Sequence, residues 1–124
     1  MKRLLIAVVI FGAASNAMAS RWVNVARSDV AVIDLDMDTL RSIGDERVVW
    51  TRTTPISGEL KFADGDSYDE EMDRSHFNCA TDTAYATSVT YRLNGAVVFS
   101  QQRTNTFDIA PGTVAESEER AVCR

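Results

Sequence analysis

Ala84-Tyr85-Ala86-Thr87-Ser88-Val89-Thr90-Tyr91-Arg92-Leu93-Asn94-Gly95-Ala96-Val97-Val98-Phe99-Ser100-Gln101-Gln102-Arg103 is the stretch that sets the fold class. Tyr85, Thr87, Val89 and Tyr91 recur at every second position, the period of a strand with one buried face. Asn94-Gly95 then supplies the preferred pair for a two-residue type I′ turn, in which both central residues need positive φ. The run after it, Val97-Val98-Phe99, is again rich in β-formers. The stretch therefore predicts an antiparallel hairpin.

Upstream, the same period recurs. From Val30 to Asp38, Ala31, Ile33, Leu35 and Met37 alternate with Val30, Val32, Asp34, Asp36 and Asp38, predicting a strand with one apolar and one acidic face. Arg21–Ala26, with Trp22, Val23 and Val25, reads as a strand before it, and Arg47–Thr54 as one after it, with Gly44-Asp45 at the turn between. A further strand is expected over Glu59–Ala63, and His76–Thr81 reads either as a strand of its own or as the lead into the hairpin.

Pro111-Gly112 ends the strand pattern, and Thr113-Val114-Ala115-Glu116 has the form of a capping box, in which Thr113 accepts from a backbone amide and Glu116 reaches back to the cap. Glu116, Glu118 and Glu119 near the start and Arg120 and Arg124 near the end suit the helix dipole. So short a helix is marginal alone in water and must be held by packing. The fold class is accordingly α+β, mainly β, with a C-terminal helix.

The N-terminus has a different logic. Lys2 and Arg3 precede an uncharged run from Leu4 to Ala14, and Ala17-Met18-Ala19 places small residues where a signal peptidase needs them. Residues 1–19 are expected to be a signal peptide cleaved between Ala19 and Ser20, and residues 20–124 a single exported domain. The apolar run is too short for a membrane span, which needs about 20 residues. The exported part keeps 11 basic and all 18 acidic residues, a net charge of −7, which argues against nucleic-acid partners and anionic membranes. In an oxidising compartment the two cysteines, Cys79 and Cys123, most simply pair with each other, tying the helix to the sheet. A metal site built on His76 and these cysteines lacks the ligands for a tetrahedral shell.

Catalysis has little support, because His76 is the only histidine and neither a nucleophile elbow nor a phosphate-cradling glycine loop is present. No cofactor or metal is expected. Asp34-Leu35-Asp36-Met37-Asp38 has the spacing that opens a calcium loop, yet Thr39 stands at the sixth position, where an EF-hand needs Gly, and Asp45 at the twelfth, where it uses Glu. On an extended strand the three carboxylates would lie about 7 Å apart on a solvated face. Trp22, Trp50, Tyr85, Tyr91, Phe99 and Phe107 are read as packing residues of the sheet. The acidic stretch from Asp64 to Asp73 reads as a flexible exposed loop, and Asp64, Asp66, Tyr68, Asp69, Glu70 and Glu71 are its candidate contact residues.

Together, Trp22, Val30–Asp34, Ile43-Gly44, Val48-Val49-Trp50, Cys79, Tyr85, Tyr91, Gly95-Ala96-Val97-Val98, Ile109-Ala110-Pro111-Gly112-Thr113 and Val122-Cys123 give a pattern that resembles the surface-adhesin protein E-like domains of Gram-negative bacteria. The resemblance implies an antiparallel sheet of about six strands with the helix tied across one face by the disulfide. It further implies adhesion to host extracellular-matrix proteins, and dimerisation. The function expected is a non-enzymatic protein-binding domain at the cell surface or in the periplasm. The alternative is a periplasmic envelope protein that binds a small ligand or inhibits a hydrolase.

Overall fold

The computed structural model describes residues 20–124. The expected signal peptide, with Ala19 of the cleavage point, lies outside the described residues, and Ser20 is the first of them. In order, the elements are β1 (Trp22–Arg27), β2 (Ala31–Ile43), β3 (Glu46–Pro55), β4 (Leu60–Lys61), β5 (Ser67–Tyr68), β6 (Glu70–Asn78), β7 (Thr83–Leu93), β8 (Ala96–Gln101), β9 (Phe107–Asp108) and α1 (Val114–Val122). The main sheet is antiparallel with order β1-β2-β3-β6-β7-β8, and β9 pairs with β7. β4 and β5 form a separate two-stranded hairpin in the connection between β3 and β6.

The β7–β8 hairpin forms as its residues dictate, with Asn94 at φ 51° and Gly95 at φ 82°. β1, β3 and the first half of β2 also fall within a residue or two of the segments read from the sequence. Two of the expected strand bounds change. The strand foreseen over Glu59–Ala63 shrinks to Leu60–Lys61 and stays off the main sheet. β2 does not stop at Asp38 but continues to Ile43 through a register shift between Asp36 and Arg41. The Thr39 hydroxyl makes that bulge affordable: it donates to the Asp36 carbonyl at 2.7 Å and accepts from the Trp50 amide at 3.1 Å, standing in for ladder bonds that the extra residues interrupt.

The bulge also corrects the picture of three solvated carboxylates. Asp36 is buried, set between the register partners Trp22 and Trp50, and accepts from the Asp38 amide at 3.2 Å. Asp34 is held by Arg52 at 3.2 Å and by Asn24 at 3.1 Å. Only Asp38 remains exposed.

The opposite face of the sheet is apolar and carries the helix. Leu35, Val49, Phe77 and Ala84 project from four successive strands and meet Val122 of α1, with Val25, Met37, Leu40 and Ile109 packed around them. Leu35 is fully buried, and each such aliphatic or aromatic side chain contributes about 1.5–3 kcal/mol by leaving water. The Cys79–Cys123 disulfide forms, joining the residue just beyond β6 to the C-cap of α1 across a sequence separation of 44. In the chain-entropy model it stabilises the fold by about 4 kcal/mol.

Half of the expected capping box is present. The Thr113 hydroxyl accepts from the Glu116 amide at 3.3 Å, but the Glu116 carboxylate turns forward to Arg120 at 2.6 Å instead of back to the cap. Glu118 also departs from a role at the solvated helix start: it lies one turn before Val122, so it faces the sheet along with that residue.

Candidate functional site

The acidic stretch from Asp64 to Asp73 was expected to be one flexible loop, and the structure divides it into three environments. Asp64 and Asp66 sit exposed at the tip of the β4–β5 hairpin, where the Asp66 amide donates to the Asp64 carboxylate at 2.9 Å and Phe62 and Asp66 bond across the turn. Asp69 and Glu70 are tied to the β7–β8 hairpin. Asp69 donates its amide to the Arg92 carbonyl and accepts the Asn94 amide at 3.1 Å, and Glu70 pairs with Arg92 at 3.1 Å. From Glu70 onward the chain is strand, so Glu71 and Asp73 alternate with Met72 and Arg74 and point to the helix-bearing face.

The missed signal was periodic. Glu71, Asp73, Ser75 and Phe77 share one face of β6, a period of two hidden by charge at its start. Charge suggested a loop, whereas the register with Thr53, Thr51 and Val49 on one side and Tyr91, Val89 and Ala86 on the other is that of a central strand.

Glu71 and Asp73 line a cleft of about 220 Å³ together with Ser75, Tyr91, Gln101, Thr104 and, from the helix, Glu118. No arginine or lysine lines it. Burial, then the Glu71 charge and a hydrogen bond to Glu71, then the Glu118 charge, hold the Asp73 carboxyl well above the usual carboxylate range. Burial and Glu71 push Glu118 up to about 7. One oxygen of Asp73 is buried with no hydrogen-bond partner, a position that a neutral carboxyl tolerates better than a charged one. Burial and the same two acids also raise the Tyr91 hydroxyl strongly.

Above this cleft, four rings cluster. Phe62 lies 4.5 Å from Tyr68, 4.8 Å from Tyr91 and 6.4 Å from Phe99, measured between ring centroids, and Tyr68 lies 4.9 Å from Tyr91. Phe62 thereby fastens the β4–β5 hairpin over β7 and β8. Between hairpin and strand opens a larger cleft, about 460 Å³, lined by Phe62, Asp64, Asp66, Tyr91, Val98 and Phe99. Phe99 packs on the sheet face against Tyr91, 6.0 Å between ring centroids, yet stays 51% exposed, while the reading of Phe107 as packing is corrected, since it is 49% exposed with no aromatic partner among the described residues. β8 pairs with β7 on one side only and its outer edge has no strand partner; all six of its residues are exposed, including Val97 at 57%.

On the face away from the helix, His76 presents an arrangement that sequence reading did not foresee. Its Nδ1 lies 3.2 Å from Glu46, its Nε2 lies 3.1 Å from the Thr87 hydroxyl, and its ring stacks on Tyr85 at 4.6 Å. A carboxylate, an imidazole and a hydroxyl in that order have the connectivity of a hydrolase triad. His76 is buried, however, and Thr87 also donates to the Arg74 carbonyl, so the hydroxyl is engaged in the sheet. Neither residue lines the two clefts described above. The three polar groups satisfy one another around the buried imidazole, with Glu46 and Thr87 themselves only half-buried.

Comparison with known proteins gives one family. The family model described as surface-adhesin protein E matches residues 22–124. No curated protein and no solved structure matches the chain.

Proposed function

Because the chain belongs to the surface-adhesin protein E family, we propose that it is an exported, non-enzymatic binding domain that adheres to a host extracellular-matrix protein through the hairpin tip and the free edge of β8. The observation that carries this reading is the edge strand itself. Edge strands are ordinarily blunted by charge, proline or a covering element, and Ala96–Gln101 has none of these. An uncovered apolar edge in a small acidic domain marks an interaction surface.

The remaining features agree. The carboxylate cleft, about 220 Å³, is smaller than the usual small-molecule site, and the cleft of about 460 Å³ that reaches that size shares Val98 and Phe99 with the edge of β8 and so forms part of the proposed contact surface. The charged and hydroxyl groups around His76 are spent on one another. Ala19–Ser20 is the cleavage point on this reading, and no helix among the described residues is long and apolar enough to cross a membrane. Asp64 and Asp66 supply the acidic side of the contact, while Tyr68 acts from beneath by holding Phe62.

The test is solid-phase binding of the purified protein to a panel of immobilised extracellular-matrix proteins, beside a Val97→Lys/Phe99→Lys variant. Saturable binding that the variant loses supports the reading. Absence of binding to any matrix protein, or equal binding by the variant, overturns it.

A further inference from the structure

The cleft between the hairpin and β8 has a composition that selects its occupant. Its walls are the rings of Phe62, Tyr91 and Phe99 with Val98, and its rim carries the Asp64 and Asp66 carboxylates. Among the described residues neither aspartate forms a salt bridge. Lys61, the hairpin's own cation, is engaged by the Ser67 hydroxyl. Aromatic faces are electron-rich and attract cations, and two carboxylates at the mouth, neither in an ion pair, add to that field. An apolar stem with a positive head, the build of a lysine or arginine side chain, satisfies both parts at once.

The backbone beside the cleft adds the second half. Val98 and Phe99 belong to both the cleft wall and the free edge of β8, whose outward amides and carbonyls have no strand partner. A segment laid along that edge alternates its side chains between the two faces of the sheet, and every second one passes over the cleft. Phe107, exposed beyond β8, extends the apolar border of the same edge.

We infer that this cleft seats a basic side chain of an extended segment from a partner protein, which adds to the free edge of β8 as a further strand. The inference rests on the protein-binding reading above and names the chemistry the partner presents. Acidic or phosphorylated segments are excluded by the same carboxylates.

The test uses two synthetic probes, acetyl-Val-Arg-Val-amide and its neutral counterpart with citrulline in place of arginine, titrated into the exported, ¹⁵N-labelled protein and followed by amide chemical shifts. The expected result is saturable shifts in Phe62–Asp66 and Ala96–Gln101, with the citrulline probe binding about fivefold more weakly. The Asp64→Asn/Asp66→Asn variant should keep the wild-type spectrum elsewhere, since asparagine also supports the turn, and should bind the two probes equally.

Equal binding of both probes to the wild-type protein overturns the inference, as does the absence of saturable shifts at β8. Concentration-dependent broadening of β8 without probe, with no response to either peptide, means that a second copy occupies the edge and also overturns it. None of these results depends on which matrix protein is bound, so the cleft's selectivity and the adhesive reading fail separately.

Discussion

Glu118→Gln is expected to stabilise the protein, but only where Glu118 would otherwise be ionised. The carboxyl faces Glu71 and Asp73 across the cleft with no cation beside it, and burial and Glu71 push it from the ordinary 4.5 up to about 7. Between those two values the native state binds the proton more tightly than the unfolded chain does, so stability falls as pH rises through the window. Below about pH 4 the group is neutral in both states and costs nothing. From pH 7 upward the difference between the two values corresponds to about 3 kcal/mol. Glutamine has nearly the same shape and no charge to desolvate.

Thermal unfolding followed by circular dichroism at pH 4 and pH 8 measures this directly. For a chain of this size about 3 kcal/mol corresponds to a rise in Tm of the order of 10 °C at pH 8, and little or no change is expected at pH 4. A variant that is less stable than wild type at pH 8, or shifted equally at both pH values, would refute the reasoning. The charged carboxylate would then be gaining more from its surroundings than its burial costs.

The other expectations concern the framework. Cys79→Ala/Cys123→Ala should lose about 4 kcal/mol in urea unfolding, with hydrogen exchange accelerated first in α1, the element that the bridge ties down. Leu35→Ala should cost about 2–5 kcal/mol in the same assay, because Leu35 is fully buried between β1, β3 and the helix. Thr39→Val, nearly the same in shape, should cost about 1–3 kcal/mol by leaving the Trp50 amide without its acceptor, and amide exchange at Trp50 should report it. Gly95→Val should destabilise the β7–β8 hairpin, since a β-branched residue is strained at φ 82°, and the loss should appear in denaturant midpoints.

What could be read from the residues follows from how local the governing physics is. Asn94-Gly95 specifies its turn by itself, because few other pairs accept two positive φ angles, and the flanking period of two then fixes a hairpin. Thr113 after Pro111-Gly112 marks the helix start in the same local way. The longer reach of β2 was not legible, since it depends on one threonine hydroxyl meeting the Trp50 amide, 11 residues away in sequence. The candidate contact residues were misread as a unit for a related reason. Charge in Glu70-Glu71-Met72-Asp73 argues for water, whereas tertiary pairing with Thr53, Thr51, Tyr91 and Val89 puts Glu71 and Asp73 beneath the helix. Phe62 and Phe99 acquire meaning only when the hairpin folds back over β8. Propensity alone cannot say that β8 is left without a second neighbour.

A domain that works outside the cell by contact with a protein must be reachable on intact cells. Protease or antibody is added to whole cells and, in parallel, to cells with a permeabilised outer envelope. Cleavage or labelling of the domain on intact cells is expected. Protection until permeabilisation would place it in the periplasm and contradict the adhesive reading.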